Sequence, residues 1–422
     1  MKVLIQAAKI FDKGSAFHLK KKDILIEDGK IKKIGSGIKE ADATVVSGKA
    51  LMVSPGWLDT FAVIREPGNE HQDRLSTLCA SAAFGGFTEV VGISGSQPSL
   101  SDRSAIEYVK NQTQGSPVMV RPAGTVTEKN AGENIAELYD MHLAGAVGFS
   151  EGRKNIKNPE LLKRALLYTK PFGARVMTYS EDHDLAAGGM VNEGSVAAGL
   201  GMKVRPVLAE EVALQRNIKL ASYTEAPIYL QGISSKEGAQ IVAEAKKNKL
   251  PVRAEVHLSS LLFDDSVLED FDTTYKVLPV IRTKADQKAL FQALKKGVID
   301  TVASGHTPQD VEQKACEFDH AGFGMMTLEC AVPAFFEKYK VQMSLEDTVD
   351  LFTDRPRKAL GLNKVTIDEG EIANLTLFAE EQWTFEKQMI KSTSKNTPFI
   401  GQSFSLKVLG IFNKGQLQLK EK

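Results

Sequence analysis

The sequence predicts an α/β chain: a (β/α)8 TIM barrel carrying a small β-sandwich domain built from its two ends. Three observations predict it. Eight apolar runs recur along the middle of the chain. Stretches with helical apolar spacing separate them, and both ends alternate with the period of a strand. Eight near-even repeats favour a closed barrel over its structural competitor, a doubly wound open sheet.

The first fifty residues read as β. Val3-Leu4-Ile5 is a short apolar run, and Asp23-Ile24-Leu25-Ile26-Glu27 leads through Asp28-Gly29 into Lys30-Ile31-Lys32-Lys33-Ile34. An Asp-Gly pair between two such runs is a hairpin signal. The last sixty residues are similar, with Ala373 to Phe378 and Ser405 to Leu409 as strands. The two ends, 1–50 and 365–422, are expected to meet in one small domain, leaving 51–364 to the barrel.

The eight barrel runs are 51–58, 88–94, 117–123, 145–150, 174–180, 226–233, 251–257 and 299–305. Between them, His71 to Phe84 places Leu75, Leu78, Cys79 and Ala82 on one helical face. Further helical patterns cover Ile106 to Val109, Ile135 to Leu143, Leu161 to Tyr168, Ala239 to Lys246 and Asp286 to Leu294. A chain of 422 residues, 42% hydrophobic, is long enough for one large core and a satellite domain.

Lysine plus arginine equals aspartate plus glutamate, 53 each. A chain without net charge has no long-range pull on nucleic acid or anionic lipid, so neither is an expected partner. Three cysteines without a CxxC pair fit reduced thiols in the cytoplasm. The apolar start of the chain is too short for a signal peptide, and no run of eighteen apolar residues predicts a membrane span.

In such barrels the active site forms where the strands end. Past the first run come Asp59, Phe61, Val63 and Arg65; past the second, Ser94, Gly95 and Ser96; past the fourth, Glu151. The fifth gives Tyr179, Glu181 and Asp182, and the sixth Tyr229 and Gly232. The seventh gives Glu255, His257, Ser259 and Ser260, and the eighth Gly305 and His306. A hydrolytic metal site needs several imidazole or carboxylate donors with one position left open for water. Phe61, Val63 and Gly305 have no such donor, and a phenol must ionise before it ligates well. Of seven histidines only His257 and His306 fall at strand ends.

Several segments resemble the dihydroorotase family. Pro55-Gly56-Trp57-Leu58-Asp59 followed by Arg65-Glu66-Pro67-Gly68 is similar to the family's first-strand motif, PGxxDxHxHxREPG. Ala83-Phe84-Gly85-Gly86-Phe87-Thr88 resembles the second motif. Glu193-Gly194, Arg205-Pro206 and Ala209-Glu210-Glu211 follow in order. Tyr275-Lys276-Val277 with Pro279 and Arg282 resembles YKxNPPLR, and Ala303-Ser304-Gly305-His306-Thr307-Pro308 resembles ATDHAP. Asn396-Thr397-Pro398-Phe399 is similar to a C-terminal signature. The likeness spans nearly the whole chain. It implies a barrel of amidohydrolase type, a place in pyrimidine biosynthesis, and, in active members, zinc that activates water to open a cyclic amide.

The departures fall on the chemistry the resemblance implies. Phe61 and Val63 stand for two ligand histidines, Tyr179 and Tyr229 for two more, and Gly232 for another nearby. Gly305 stands for an aspartate, and Gly95 and Leu278 for substrate-contacting asparagines. Glu151 lies near the usual bridging aspartate. Arg65 keeps the position that grips a substrate carboxylate. No catalytic residue and no metal ligand is therefore expected, and without a metal, water stays near a pKa of about 15.7 rather than about 7.

Alternatives stay open at several positions. Arg65 holds a ligand carboxylate, or it sits in an ion pair with Glu66 or another acid. Asp59, Glu151, His257 and His306 form a residual polar rim, in which His257 and His306 either keep a mononuclear metal with Glu255 or Asp59 or are rim histidines satisfied within the fold. Phe61, Val63, Tyr179 and Tyr229 either fill the vacated space as core or line an apolar pocket. A triad through Ser259 or Ser260 lacks the G-x-S-x-G elbow, and Gly85-Gly86 lacks a phosphate-loop pattern.

The expectation is a pseudo-dihydroorotase: a cytoplasmic, non-catalytic homologue with a structural or regulatory role and no cofactor. By family analogy its partner is aspartate transcarbamoylase and its own state a homodimer. One alternative is an active dihydroorotase or related cyclic amidohydrolase of the hydantoinase or allantoinase type, with zinc. The other is a metal-free small-molecule binder anchored by Arg65.

Overall fold

The computed structural model describes residues 1–420. Its strands are β1 (Lys2–Ile10), β2 (Lys21–Glu27), β3 (Lys30–Gly35), β4 (Thr44–Val46), β5 (Met52–Pro55), β6 (Trp57–Ile64), β7 (Phe87–Ser94), β8 (Met119–Pro122) and β9 (Phe149–Ser150). They continue as β10 (Val176–Tyr179), β11 (Val191–Asn192), β12 (Val204–Arg205), β13 (Ile228–Gln231), β14 (Val252–His257), β15 (Thr301–Ala303), β16 (Leu375–Thr384), β17 (Ser403–Asn413) and β18 (Gln416–Leu419).

The two chain ends form one eight-stranded sheet in the order β18-β17-β16-β5-β1-β2-β3, with β4 paired to β1. The Asp28-Gly29 turn joins β2 to β3, and both of its residues have positive φ, 49° and 78°. That is the conformation a two-residue hairpin needs, and it is why the Asp-Gly pair reads so clearly.

The barrel follows by parallel pairing. β6 pairs with β7 and β7 with β8. A bridge between Gly124 and Phe149 carries the ring to β9. Then β9, β10, β13, β14 and β15 pair in sequence. A bridge between Ala62 and His306, with the Val63 amide donating to the His306 carbonyl at 2.9 Å, closes the ring onto β6. Side-chain caps fix several outer helices. Asp102 caps Arg103–Gln112, Ser235 caps Lys236–Lys247, and Thr283 forms a reciprocal capping box with Asp286 on Lys284–Lys295.

The first barrel strand differs from the sequence expectation. The run 51–58 holds two strands, not one. Met52–Pro55 pairs with β1 and β16 of the end sheet, and the barrel strand begins at Trp57. Every residue of β6 is buried, as in a parallel strand covered on both faces. Hydropathy alone does not reveal a change of sheet inside a continuous apolar stretch. As a result Asp59, Phe61 and Val63 lie inside the strand, facing the barrel, and only Arg65 lies beyond its end.

Trp57 anchors the junction of sheet and barrel. It is fully buried, its Nε1 donates to Ser54 Oγ at 2.9 Å, and its ring meets Phe87 at 6.3 Å and Phe378 at 5.5 Å. Beneath it, Glu89 of β7 takes Arg357 Nη2 at 2.7 Å and Asn374 Nδ2 at 2.9 Å, with Arg121 as a further partner. These bonds join the barrel wall, the helix Asp354–Leu360 and the approach to β16. Among the described residues no helix is long and apolar enough to cross a membrane.

Candidate functional site

Four positions of the resemblance gather around His257, at the end of β14. Phe61 stacks obliquely on the imidazole, ring centroids 4.6 Å apart. A Cβ on Gly305 would sit 3.1 Å from His257 Nδ1, and one on Gly232 would sit 3.4 Å from Nε2. Both glycines have positive φ, 67° and 65°, so a side chain at either position would strain the backbone as well as crowd the ring. Tyr229 donates its hydroxyl to Glu255 at 2.7 Å, and Glu255 Oε1 stands 3.6 Å from His257 Nε2.

Burial sets the charges here. It pushes the Glu255 carboxyl up to about 8, against the bonds from Thr60 and Tyr229. It pushes the His257 imidazole well below its ordinary range, helped by the neighbouring Arg153. At neutral pH the Glu255–His257 contact therefore joins two groups that are mostly uncharged. Asp59 accepts from the Ser304 amide at 2.6 Å and its hydroxyl at 2.7 Å, and burial pushes it up to about 7.

Phe61, Val63 and Tyr229 answer the question the sequence left open. They pack into one buried cluster with Leu58, Val91, Met177 and Ala303. They are core that fills the barrel interior rather than a pocket lining. Tyr179 ends β10 and is also buried, its phenol raised well above the ordinary value by desolvation.

Other expected rim residues lie apart from this centre. Glu151 spends both oxygens on Thr127, accepting from its amide and hydroxyl at 2.8 Å each. Leu278 is half-buried in the segment ahead of the helix Lys284–Lys295. His306 Nδ1 accepts from the Thr327 amide at 3.1 Å and the Leu328 amide at 3.3 Å, which leaves the proton on Nε2. Burial, then Arg65, pushes the His306 imidazole down to about 3. Gly95 packs so closely on β6 that a Cβ would meet Val63 Cγ1 at 2.4 Å.

Arg65 is not in an ion pair with Glu66. Glu66 accepts from the Leu75 amide at 2.8 Å and the Tyr108 hydroxyl at 3.0 Å. Arg65 donates to the Pro308 carbonyl at 3.0 Å, and its Nε meets no acceptor among the described residues.

One residue at this centre escaped the sequence reading. Arg153 follows β9 by three residues, and its guanidinium lies 5.2 Å over the Phe61 ring. It donates to the Gly305 carbonyl at 3.0 Å, while Nε and Nη1 are buried without an acceptor. Burial lowers its pKa to about 10. In sequence it reads as one of several solvated cations in Arg153-Lys154-Asn155. The available signal was its place just past a barrel strand, beside Gly152.

The donors do not fit a metal. Among the described residues no three histidine, cysteine, aspartate or glutamate side chains converge as an ion requires. Asp59 is committed to Ser304, one Glu255 oxygen to Thr60 and Tyr229, and a guanidinium occupies the neighbourhood.

Comparison with known proteins gives this geometry its family. A model described as Dihydro-orotase-like matches residues 48–238. A dihydroorotase of Acetivibrio thermocellus is 33% identical over 405 residues, covering 95% of both chains. One from Ruminiclostridium cellulolyticum is 34% identical over 406 residues, covering 95% of this chain and 94% of its own. Among solved structures, the L-hydantoinase (dihydropyrimidinase) of Arthrobacter aurescens superposes with a TM-score of 0.86 at 22% identity, covering 100% of this chain and 97% of its own. A dihydropyrimidinase from Brevibacillus agri gives 0.84 at 25% identity, covering 100% and 95%. With full-length relatives above 30% identity and a fold shared with the hydantoinases, the chain belongs to the dihydroorotase family.

Proposed function

We propose that this chain is a non-catalytic dihydroorotase homologue with a structural or regulatory role in pyrimidine biosynthesis. One observation carries the reading: Phe61, Val63, Tyr229, Gly232 and Gly305 put packing and backbone where an ion would need donors, and Arg153 adds a fixed cation. A guanidinium has no vacant orbital to bind water, so it does not lower the pKa of water as a Lewis acid does. The partner by analogy is aspartate transcarbamoylase, and the chain itself is a homodimer. Three unpaired cysteines accord with a cytoplasmic setting.

The test is metal analysis and dihydroorotate turnover on one preparation grown with ample zinc. Substoichiometric zinc and no hydrolysis are expected. Stoichiometric zinc with turnover would establish the second reading, a cyclic amidohydrolase, which the names of the relatives favour. Size-exclusion chromatography alone and with aspartate transcarbamoylase checks both assembly claims. Separate elution at micromolar concentration would remove that partner.

A further inference from the structure

Away from the group around His257, a hollow of about 560 Å³ opens between the helix Leu75–Gly85 and the C-terminal strands. Phe84 of the helix and Trp383 of β16 supply two aromatic walls, and Ala80, Ala83, Met389 and Leu419 add apolar surface. Trp383 is fixed in place, its Nε1 donating to the Leu406 carbonyl at 2.7 Å. Such a volume falls within the roughly 300–1,000 Å³ of small-molecule sites.

Three lysines line the same hollow: Lys391, Lys407 and Lys420. Lys420 Nζ lies 3.5 Å from the centre of the Phe84 ring and 5.2 Å from that of Trp383, and Lys391 Nζ lies 5.8 Å from Phe84. Lys407 donates to Glu381 at 2.6 Å, whereas Lys391 and Lys420 have no carboxylate within ion-pair distance among the described residues. Burial pushes the Lys420 ammonium down to about 7; Cys330 and Glu329 oppose the shift, and Lys407 and Lys391 add to it. Burial also raises the Cys330 thiol and the Glu329 carboxyl, so neither is a full counter-charge. An aromatic face attracts an ammonium but carries no net charge, and a desolvated cation without a counter-ion is costly.

We propose that this hollow is a binding site for a small carboxylate with an apolar body. The carboxylate meets Lys420 and Lys391, and the body lies on Ala83, Met389 and Leu419. Charge alone would suit a bare inorganic anion; the apolar surface beside it selects a ligand with a hydrocarbon part. Alkyl and aryl acids share this chemistry. The site involves none of the residues around His257, so it stands whether or not the barrel holds a metal.

The experiment is calorimetric titration of the full-length protein with octanoate and benzoate. Octanamide, which lacks the charge, and acetate, which lacks the body, are the controls. At least one of the two acids is expected to bind with a Kd below about 1 mM, and both controls at least about tenfold more weakly. The tighter of the two acids tells an alkyl chain from an aryl ring. Tryptophan emission locates the event, because of the two tryptophans Trp57 is fully buried and Trp383 lines the hollow. Binding is expected to shift that emission. Lys420→Met keeps the apolar stem, removes the charge, and is expected to weaken the acid about tenfold, as loss of a desolvated charge partner does. Lys391→Met, at an exposed position, is expected to weaken it in the same direction and serves as the readout should Lys420→Met fail to fold. Wild-type protein that binds neither acid, or octanamide as tightly as octanoate, would overturn the proposal. So would binding without a change in emission, or affinity unchanged in the folded variants.

Discussion

Glu255 shows how a fully buried carboxyl is held in place inside a barrel. Thr60 and Tyr229 both donate to its Oε2, and Oε1 faces His257. Because the two donors favour the ionised form, removing one penalises the charged carboxyl more than the neutral one. Tyr229→Phe is therefore expected to destabilise the protein by about 1–3 kcal/mol above pH 8, where Glu255 is ionised, and by less near pH 6. Urea unfolding at the two pH values checks this, and equal losses at both would show that Tyr229 matters only as packing. The role of Tyr229 as core was half legible beforehand: sequence placed it among the departures from the family motifs but did not tell filler from pocket lining. Arg153 was legible only by its place just past a barrel strand. Its importance comes from what lies above and below it, Phe61 and Gly305, which are 92 and 152 positions away in the chain.

At the level of elements, strand periodicity carried most of the barrel. Seven of the eight apolar runs match a barrel strand to within a few residues, because parallel strands buried on both faces have few polar interruptions. The first run spans a boundary. Residues 52–55 belong to the end sheet and β6 starts after Gly56, where a Cβ would strike Asn374 Oδ1 at 1.9 Å. Glu89 ties that boundary to the barrel. Its carboxylate is buried between Arg357 and Arg121, which hold it below the ordinary carboxylate range even though burial works the other way. Glu89→Ala strands the fully buried Arg357 and is expected to cost about 3–5 kcal/mol, whereas replacing the whole pair by apolar residues costs less. A double-mutant cycle of Glu89→Ala with Arg357→Met measures it. Additive losses would mean the two groups are not coupled.

For the whole molecule, composition averages away what matters. The charges balance at 53 each, yet the barrel interior holds carboxyls that burial pushes toward the protonated form, Asp59 up to about 7 and Glu255 up to about 8. No count over the sequence distinguishes that from an even surface. The imbalance has a consequence for stability. Glu255 ionises near 4.5 when unfolded and near 8 when folded, so between those values the folded chain holds the extra proton and stability falls as pH rises. His306 runs the other way. It protonates near 6.5 when unfolded but only near 3 when folded, so stability falls as pH drops through that window. Lys314, lowered from 10.5 to about 7, adds a slope upward with pH across that higher range. These slopes overlap in the wild type, and only a difference separates them. Glu255→Gln removes the carboxyl alone. Relative to wild type it is expected to gain stability steadily from about pH 4.5 to about 8 and to hold that gain beyond, with no change in slope below about pH 4.5, where only His306 titrates. Denaturation midpoints across that range decide it: two parallel profiles would mean that Glu255 is ionised in the folded chain at neutral pH, and that the mouth of the barrel carries a counter-charge of its own.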